Sequence, residues 1–481
     1  MSLGVTVTTS ETSGASTPAL STGTAFFVGL ADSGPSTPVL LRSLSEYIAL
    51  FGPRTTTSAI LYDAVNAFFA LKGARCYVLR VTNAGAKTAE LTLTDSASKP
   101  TLLVKAKYPG VLGNTIKIEV ATESSEAEIK ILNGEGELLE TSGKLKTQAA
   151  IIEWSEKHAT YVVITQSEAS EHTSNLPKTA SPKALTGGVN PTSVTDAECV
   201  AALPAFQGSL GPGLVAAPGR HSEAMFLGLA EHAQQHNRFA WGDLEDETTT
   251  SAVISAKGTN LTVGVAGYIG FSSSSVIVQG VASGTTRTVA GSAIVAALCA
   301  QVAATGNDNQ APAGINWPLE PFVVGFTKTW SKAEMETLNA AGINSFAERT
   351  NVLCLYGFVT ALLPSQDEVF WQASATRERM SLVYRAAAIG ERYVFSTLDG
   401  RGQTIAKFQG ALQGLIAEDW LDKALFGGSA PEAGEVNVGE PINTLKTMQE
   451  GKLNAQMIVR ISPFAQAVAI NIVTAPITES V

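Results

Sequence analysis

The sequence predicts a multidomain chain of mixed α/β and α+β class. Two stretches, 22–81 and 213–241, run in the order strand, turn, helix, strand, which is typical of parallel strands joined by a helical crossover. Between them, 101–190 alternates short apolar segments with Gly- and Asn-containing turns, which indicates a small β-rich domain. Both chain ends show strand-like alternation, so we expect extended arms there.

The first unit is the most clearly patterned. The apolar run 25–30 and the run 38–41 flank a turn and predict two strands. Ser43 and Glu46 have the spacing of a capping box, so a helix is predicted from 44 to 51. A second helix over 58–72 and a strand over 76–81 complete the unit. That strand is apolar at nearly every position, as expected where both faces are covered.

The remaining elements follow from the same patterns. In 101–190 we predict strands at 102–106, 115–120, 129–133, 136–140 and 161–165, a helix at 149–158 and a polar loop at 168–182. In 191–345 we predict strands at 213–217 and 239–241, a helix around 225–233, an Ala-rich helix at 290–304 that packs closely on a neighbour, and a helix at 332–341. In the last third we predict a strand at 353–360, helices at 366–389 and 404–425, a strand at 457–461 and a final strand around 468–472.

Composition excludes several function classes. The 481 residues carry a net charge of −10 and no Lys/Arg run, which argues against nucleic-acid binding. The first 20 residues lack the features of a signal peptide, and the longest apolar stretch, 289–304, is too short for a bilayer span. We therefore expect no membrane insertion. Four cysteines lie far apart in apolar segments and are interpreted as reduced core residues: Cys76, Cys199, Cys299 and Cys354.

The low charged fraction has two readings. Only 16% of the residues are charged, so much of the surface must be neutral. Either other subunits cover part of that surface, or Ala, Ser and Thr replace charges on a solvated surface.

No motif indicates catalysis or cofactor binding. Gly211, Gly213 and Ala216 imitate a dinucleotide fingerprint, but they precede a strand, whereas a true fingerprint follows one. The sequence has no phosphate-binding P-loop and no nucleophile elbow. We therefore predict no catalytic residue and no cofactor.

Two clusters could hold a metal or a carboxylate site. His232 and His236 are four apart on a predicted helix, with His221 nearby, and we interpret them as a solvated face without metal. The acidic run 243–247 follows a strand, where a carboxylate site could lie, and is interpreted as a solvated loop. We predict no metal site.

Several phrases resemble one protein family in its domain order. They are FFVGLADSGP at 26–35, LLVKAKYPGVLGNTIKIEV at 102–120, LTGGVN at 185–190, LNAAGIN at 338–344 and the C-terminal stretch 436–477. Together they resemble the sheath proteins of contractile phage tails and phage-derived injection systems. The resemblance implies an α/β sheath core with an inserted small β-rich domain and terminal strand arms. The implied boundaries are 1–21 (arm), 22–100 (α/β opening unit and linker), 101–190 (β-rich domain), 191–345 (middle α/β domain), 346–464 (C-terminal domain) and 465–481 (arm).

The resemblance also implies a function. Sheath subunits form stacked hexameric rings around a tail tube and contract to drive the tube through a cell envelope. The implied partners are neighbouring sheath subunits, the tail tube protein, and baseplate and tail terminator proteins. The implied location is the virion tail, with assembly in the host cytoplasm. The alternatives are a non-contractile tail or capsid component and, from another class, an α/β enzyme.

Two sets of residues are candidates for assembly contacts. The ends of the chain alternate apolar residues and carry no neighbouring helix, and 465–474 has neither charge nor proline to blunt an exposed strand edge. We predict that these ends pair with a neighbour's sheet through Val5, Val7, Val468, Ile470 and Ile472, the alternative being a covered intramolecular strand or a floppy tail. A tube-facing surface should use few, charge-based contacts, and the C-terminal helices supply Arg377, Arg379, Arg385 and Lys407 as candidates.

Overall fold

The computed structural model describes residues 21–191, 193–280 and 284–472, and the first unit in it forms as predicted. Its elements are β1 (Ala25–Gly29), β2 (Val39–Leu41), α1 (Leu44–Phe51), α2 (Ala59–Ala70) and β3 (Cys76–Arg80). The Ser43 hydroxyl accepts from the Glu46 backbone N–H at 3.2 Å, which confirms the predicted start of α1. β1 pairs in parallel with β3, as the crossover pattern predicted, and β2 adds antiparallel to β3.

Residues 90–184 form two antiparallel sheets and a helix around their own apolar core. The elements are β4 (Glu90–Thr94), β5 (Pro100–Ala106), β6 (Lys117–Glu123), β7 (Glu126–Leu132), β8 (Leu138–Leu145), α3 (Gln148–His158), β9 (Val162–Gln166) and β10 (Ala180–Ala184). The sheet orders are β4-β5-β9 and β10-β6-β7-β8. The predicted loop over 168–182 is wrong from residue 180 onward, where β10 begins. This mostly exposed edge strand is held by backbone pairing with β6.

The second α/β unit extends the first sheet. It comprises α4 (Asp196–Ala202), β11 (Leu214–Ala216), α5 (Glu223–Gln235), β12 (Phe239–Asp243), α6 (Thr250–Ala256), α7 (Val263–Ala266) and β13 (Ile269–Ser272). β11 pairs in parallel with β1, so one six-stranded sheet of order β13-β12-β11-β1-β3-β2 includes strands from both 22–100 and 191–345. Gly213 has φ +148°, and a Cβ there would lie 2.0 Å from the Thr24 carbonyl oxygen, so this glycine serves close strand pairing.

Apolar layers cover both faces of this sheet. The chain continues through β14 (Val276–Gln279), β15 (Thr286–Val289), α8 (Gly291–Ala303), β16 (Val323–Phe326), α9 (Lys332–Ala340), β17 (Ser345–Arg349) and β18 (Val352–Tyr356). The Ala-rich α8 is almost entirely buried and packs on α2, as predicted. Its side chains join Phe27, Phe68 and Trp241 in one core, whereas Phe26, Phe206 and Phe226 belong to the core on the other face.

The last third forms a helical hairpin and a small sheet. Its elements are α10 (Ala373–Glu391), α11 (Gln403–Leu421), α12 (Ala430–Ala433), β19 (Gly434–Asn437), α13 (Leu445–Gln449) and β20 (Gln456–Val459). α10 begins later than predicted because Asp367 turns the preceding chain by accepting from the backbone N–H groups of Val369 and Phe370. The final strand predicted around 468–472 does not pair with any strand of the described chain.

Candidate assembly interface

The C-terminal arm leaves the body of the protein after a short anchor. The Gln372 amide donates to the Phe464 carbonyl at 3.3 Å and accepts from the Phe464 backbone N–H at 3.2 Å. The Phe464 ring packs on the main core, and Gln466 hydrogen-bonds Asn339. Beyond this anchor, every described residue is exposed.

The three apolar residues predicted for strand exchange lie on this free part of the arm. Val468, Ile470 and Ile472 are 80%, 82% and 83% exposed. Since such side chains are usually buried, this exposure gives the arm an unsatisfied apolar surface. Val5 and Val7, the corresponding candidates at the other end, lie outside the described residues.

The sheet of β19 and β20 lies next to the start of the arm. The two strands are antiparallel, with Glu435 opposite Ile458, and neither pairs with a third strand among the described residues. Arg460, just after β20, donates its backbone N–H to the Ala433 carbonyl at 2.8 Å. Gln409 of α11 donates its side-chain amide to the Val436 carbonyl of β19 at 2.8 Å, so this strand is covered by the helix. The edge of β20 that faces away from β19 has no partner strand among the described residues, so it can accept a further strand.

Arg377 is not on the surface, contrary to the tube-facing prediction. Its side chain is 1% exposed, and Nη2 lies 2.9 Å from Asp308 Oδ1 and 3.0 Å from the Cys299 carbonyl. The Thr22 hydroxyl donates to the same carboxylate at 2.8 Å. Arg377 therefore joins α10 to the end of α8, the 308 loop and the start of β1, which is a structural role that the helical pattern did not reveal.

Arg379 and Arg385 are also committed to partners within the chain. The Arg379 guanidinium carbon lies 4.0 Å from the Phe370 ring centre and 4.4 Å from that of Tyr268, so it stacks between two aromatic rings. Arg385 Nη2 donates to both Asp419 carboxylate oxygens, at 2.6 and 2.7 Å, and thereby ties α10 to α11. The structure thus assigns these two cations to internal packing.

Lys407 is the tube-facing candidate that the structure leaves exposed. It lies on the outer face of α11 together with Gly410 and Gly414, which follow at helical spacing. A Cβ added at either glycine would meet nothing within 4 Å. No contact in the described fold therefore requires glycine at these two positions. The absence of side chains there allows another backbone to come close.

Glu378 is an ionisable residue whose burial the sequence analysis missed. It is fully buried in α10, with its Oε1 3.6 Å from Arg385 Nη2. Burial, reinforced by the nearby Asp419 and Asp308 carboxylates, raises its pKa to about 8. The seven-residue spacing from Glu378 to Arg385, which repeats one helix face, could have pointed to this pair.

The histidines that imitate a metal site are structural. His232 is buried, and its Nε2 lies 2.8 Å from Arg238 Nη1, which must donate because a guanidinium has no acceptor. Burial, with Arg238 and His236 nearby, lowers the pKa of His232 to about 3, so the ring is neutral. The prediction that His232 and His236 lie on a solvated face is therefore wrong for His232, which is buried. No group of three or more potential ligands gathers within the described residues.

The acidic run is only partly a solvated loop. Asp243 is buried and accepts from the Ser292 N–H at 2.7 Å and from the Ser292 hydroxyl at 2.6 Å, which places a carboxylate at the N-terminus of α8. Glu245 and Asp246 are exposed as expected. Asp246 also accepts from the Ser275 N–H and the Thr327 hydroxyl. The cluster fixes α8 and the following strands and leaves no open carboxylate site at Asp243.

Solved protein structures share this architecture, although comparisons by sequence find no match. No family model matches the chain, and no curated protein matches it. A sheath tail protein of Listeria innocua matches with TM-score 0.64 and 13% identity, over 91% of this chain and 94% of that one. The chain has the fold of tail sheath proteins. The Desulfitobacterium hafniense sheath tail protein shares this sheath fold with TM-score 0.59 and 12% identity, over 91% and 93% of the two chains.

A protein from a contractile assembly also shares this fold. The helical sheath of the anti-feeding prophage, solved in its contracted state, matches with TM-score 0.57 and 16% identity. That match covers 98% of this chain and 99% of the other, so the C-terminal hairpin and small sheet are part of the shared fold. No helix in the described ranges is both long enough and apolar enough to cross a membrane.

Proposed function

We propose that this chain is the sheath subunit of a contractile tail or phage-derived injection system. The supporting observation is the sheath fold over almost the full length of a contracted sheath protein. Subunits form stacked hexameric rings around a tail tube, and contraction drives the tube through a cell envelope. The neighbours are structural proteins, so the role is mechanical and needs no catalytic residue or cofactor.

The chain divides, in this proposal, as the sequence suggested. An extended arm (1–21) precedes an α/β opening unit and linker (22–100), an inserted β-rich domain (101–190), whose sheet includes β4 of the linker, and a middle α/β domain (191–345). A C-terminal domain (346–464) and a second arm (465–481) follow. The two α/β segments act as one rigid body because their strands share a sheet.

The arms join the subunits of the sheath. Val468, Ile470 and Ile472 are exposed and alternate along an uncharged segment, so they suit addition to a neighbour's sheet. The edge of β20 that faces away from β19 receives the arm, since no third strand joins this sheet within the described ranges. Backbone hydrogen bonds to a strand survive large rotations while a few linker residues absorb the dihedral changes. Val5 and Val7 serve in the same way at the other end.

The outer face of α11 contacts the tube. Lys407 supplies an exposed charge there, and Gly410 and Gly414 let a partner helix or loop come close. Charge-based contacts of this kind are weak enough to slide during contraction. Baseplate and terminator proteins hold the two ends of the sheath, and the assembled sheath is part of a virion or virion-like tail formed in the host cytoplasm.

A non-contractile tail or capsid component is the second candidate. The contracted state of the anti-feeding prophage sheath favours the contractile reading. Negative-stain electron microscopy of the purified protein, alone and with its tube protein, separates the candidates. We expect long striated tubes. Closed shells would support a capsid component, and a stable monomer that turns over a substrate would contradict the structural role.

A further inference from the structure

The loop between α10 and α11 carries an aromatic side chain in an unusual setting. Phe395 is fully exposed and has φ +62°, a left-handed conformation that bulky residues rarely adopt. Val394 beside it is also exposed. The loop itself is well held: Tyr393 packs on Phe408 with ring centres 5.0 Å apart, and Asp399 accepts backbone N–H groups at the start of α11. The chain therefore presents Phe395 outward from a fixed base.

An apolar groove lies at the other end of the same hairpin. It has a volume of about 540 Å³ and is lined by Trp420, Leu421, Lys423, Leu425, Phe426 and neighbouring glycines. Leu421 is 70% exposed and Phe426 63% exposed. The indole N–H of Trp420 donates to the Gly427 carbonyl at 2.9 Å, which fixes one wall. The groove is preformed and has no apolar occupant among the described residues.

The loop and the groove of one molecule cannot meet. The loop precedes α11 and the groove follows it, and the 19 residues of this helix separate them by roughly 28 Å. An occupant that resembles the loop must therefore come from another copy of the chain.

The charges around the two features are complementary. Arg392 and Arg401 are exposed beside Phe395, where Glu391 is the exposed acid and Asp399 is engaged by backbone N–H groups. The rim of the groove carries three acids, Glu418, Asp422 and Glu432, against two cations, Lys423 and Arg460. The rim thus has a small excess of negative charge, and the two arginines of the loop complement it, which orients such a contact.

We propose that Phe395 and Val394 of one copy insert into the Leu421–Phe426 groove of a neighbouring copy. This deepens the proposed function, because it rests on the chain assembling with copies of itself. The two surfaces differ, so the contact is heterologous and repeats from copy to copy, as a ring or helix requires. A buried aromatic at the centre of a charged rim is the usual composition of an energetically dominant contact.

Replacing Phe395 tests this contact without destabilising the fold, so a loss of assembly would not result from unfolding. Asn tolerates φ +62° better than Phe, so Phe395→Asn is expected to keep or raise the Tm of the monomer. The same variant is expected to raise the protein concentration needed for tube assembly at least about tenfold. Phe395→Tyr should assemble normally, as should Leu138→Ser, which alters an exposed apolar residue in the β-rich domain. Normal assembly of Phe395→Asn would overturn the proposal.

Cross-linking identifies the partner. The four native cysteines are buried, so Phe395→Cys and Leu421→Cys each carry one accessible thiol. Assembled mixtures of the two variants should form a disulfide-linked dimer under oxidation, and either variant alone should form far less. Tubes without the mixed dimer would overturn the contact and leave the proposed function standing. Failure of the unaltered chain to form any assembly would overturn both. Loss of tube-protein binding alone in Phe395→Asn would assign the loop to the tube and refute a contact between copies.

Discussion

Arg377 shows how one buried cation holds distant parts of this chain together. It contacts Asp308 and the Cys299 carbonyl, while Thr22 donates to the same carboxylate. Replacing Arg377 with Met keeps most of the volume but leaves the Asp308 carboxylate buried without its cation. We expect a loss of about 3–5 kcal/mol in the free energy of unfolding, measured by urea denaturation.

The double variant is the control for this prediction. Arg377→Met combined with Asp308→Asn removes both charges and should recover much of the loss, because no unpaired ion remains. A loss below about 1 kcal/mol for the single variant, the level of an exposed pair, would contradict the buried ion pair.

Glu378 makes stability depend on pH. Its pKa is about 8 in the folded chain against a usual value near 4.5, so between these values the folded state holds a proton that the unfolded state has released. Its contribution to stability is therefore fully present below about pH 4.5 and is lost as pH rises through about 8. Besides burial, the Asp419 and Asp308 carboxylates raise the pKa of Glu378, and Arg385 opposes them.

The variant Glu378→Gln isolates this effect. The amide stays neutral, so the variant should gain stability relative to the natural chain as pH rises from 5 to 8.5. Urea denaturation of both proteins across this range gives the difference directly, because all other titrating groups are common to both. Parallel stability curves would refute the raised pKa.

At the scale of single elements, α11 contains two glycines that its own fold does not need. Gly410 and Gly414 lie in the interior of the helix with open space around an added Cβ. Gly410→Ala and Gly414→Ala should each raise the free energy of unfolding by about 0.5–1 kcal/mol, measured by chemical denaturation. A loss of stability would show that these positions already contact something within the chain.

Beyond Gln466, the described part of the C-terminal arm (467–472) pairs with no strand. Changing Val468, Ile470 and Ile472 together to Ser should leave the Tm of the monomer unchanged, since all three are exposed, and should abolish tube assembly. The matched control changes Ala467, Ala469 and Asn471, on the alternate face, to Ser. Equal assembly of both triple variants, seen by electron microscopy, would refute strand exchange through this arm.

In the proposed function, the whole molecule contacts the tail tube through few charges. Because Arg377, Arg379 and Arg385 have internal partners, Lys407 carries the tube-facing prediction among them. Lys407→Glu should weaken co-assembly of sheath and tube at low salt, and the difference from the natural chain should shrink as salt screens it. Lys332, exposed on a different helix, gives the control substitution Lys332→Glu. Unchanged co-assembly at every salt concentration would remove Lys407 from the contact.

The sequence alone determined most local elements of this protein. The Ser43 and Glu46 pair placed the start of α1, apolar spacing located α2 and α8, and a continuous apolar run located β3. These signals are readable because the interacting groups lie within a few residues of one another. The order of loose motifs along the chain also indicated the sheath fold, which the solved sheath structures share.

Only the tertiary structure decided what surrounds each polar side chain. Pairing of β11 with β1 joined two units that look separate in sequence. Arg377 and His232, which were expected on the surface, are buried, and so is Glu378, which the sequence analysis did not single out. It also left 468–472 without a partner strand in the described chain. Helical or strand periodicity gives the direction of a side chain relative to its own element. Whether that side chain meets water, an opposite charge or an apolar core depends on segments far away in sequence, and this is why these outcomes required the fold.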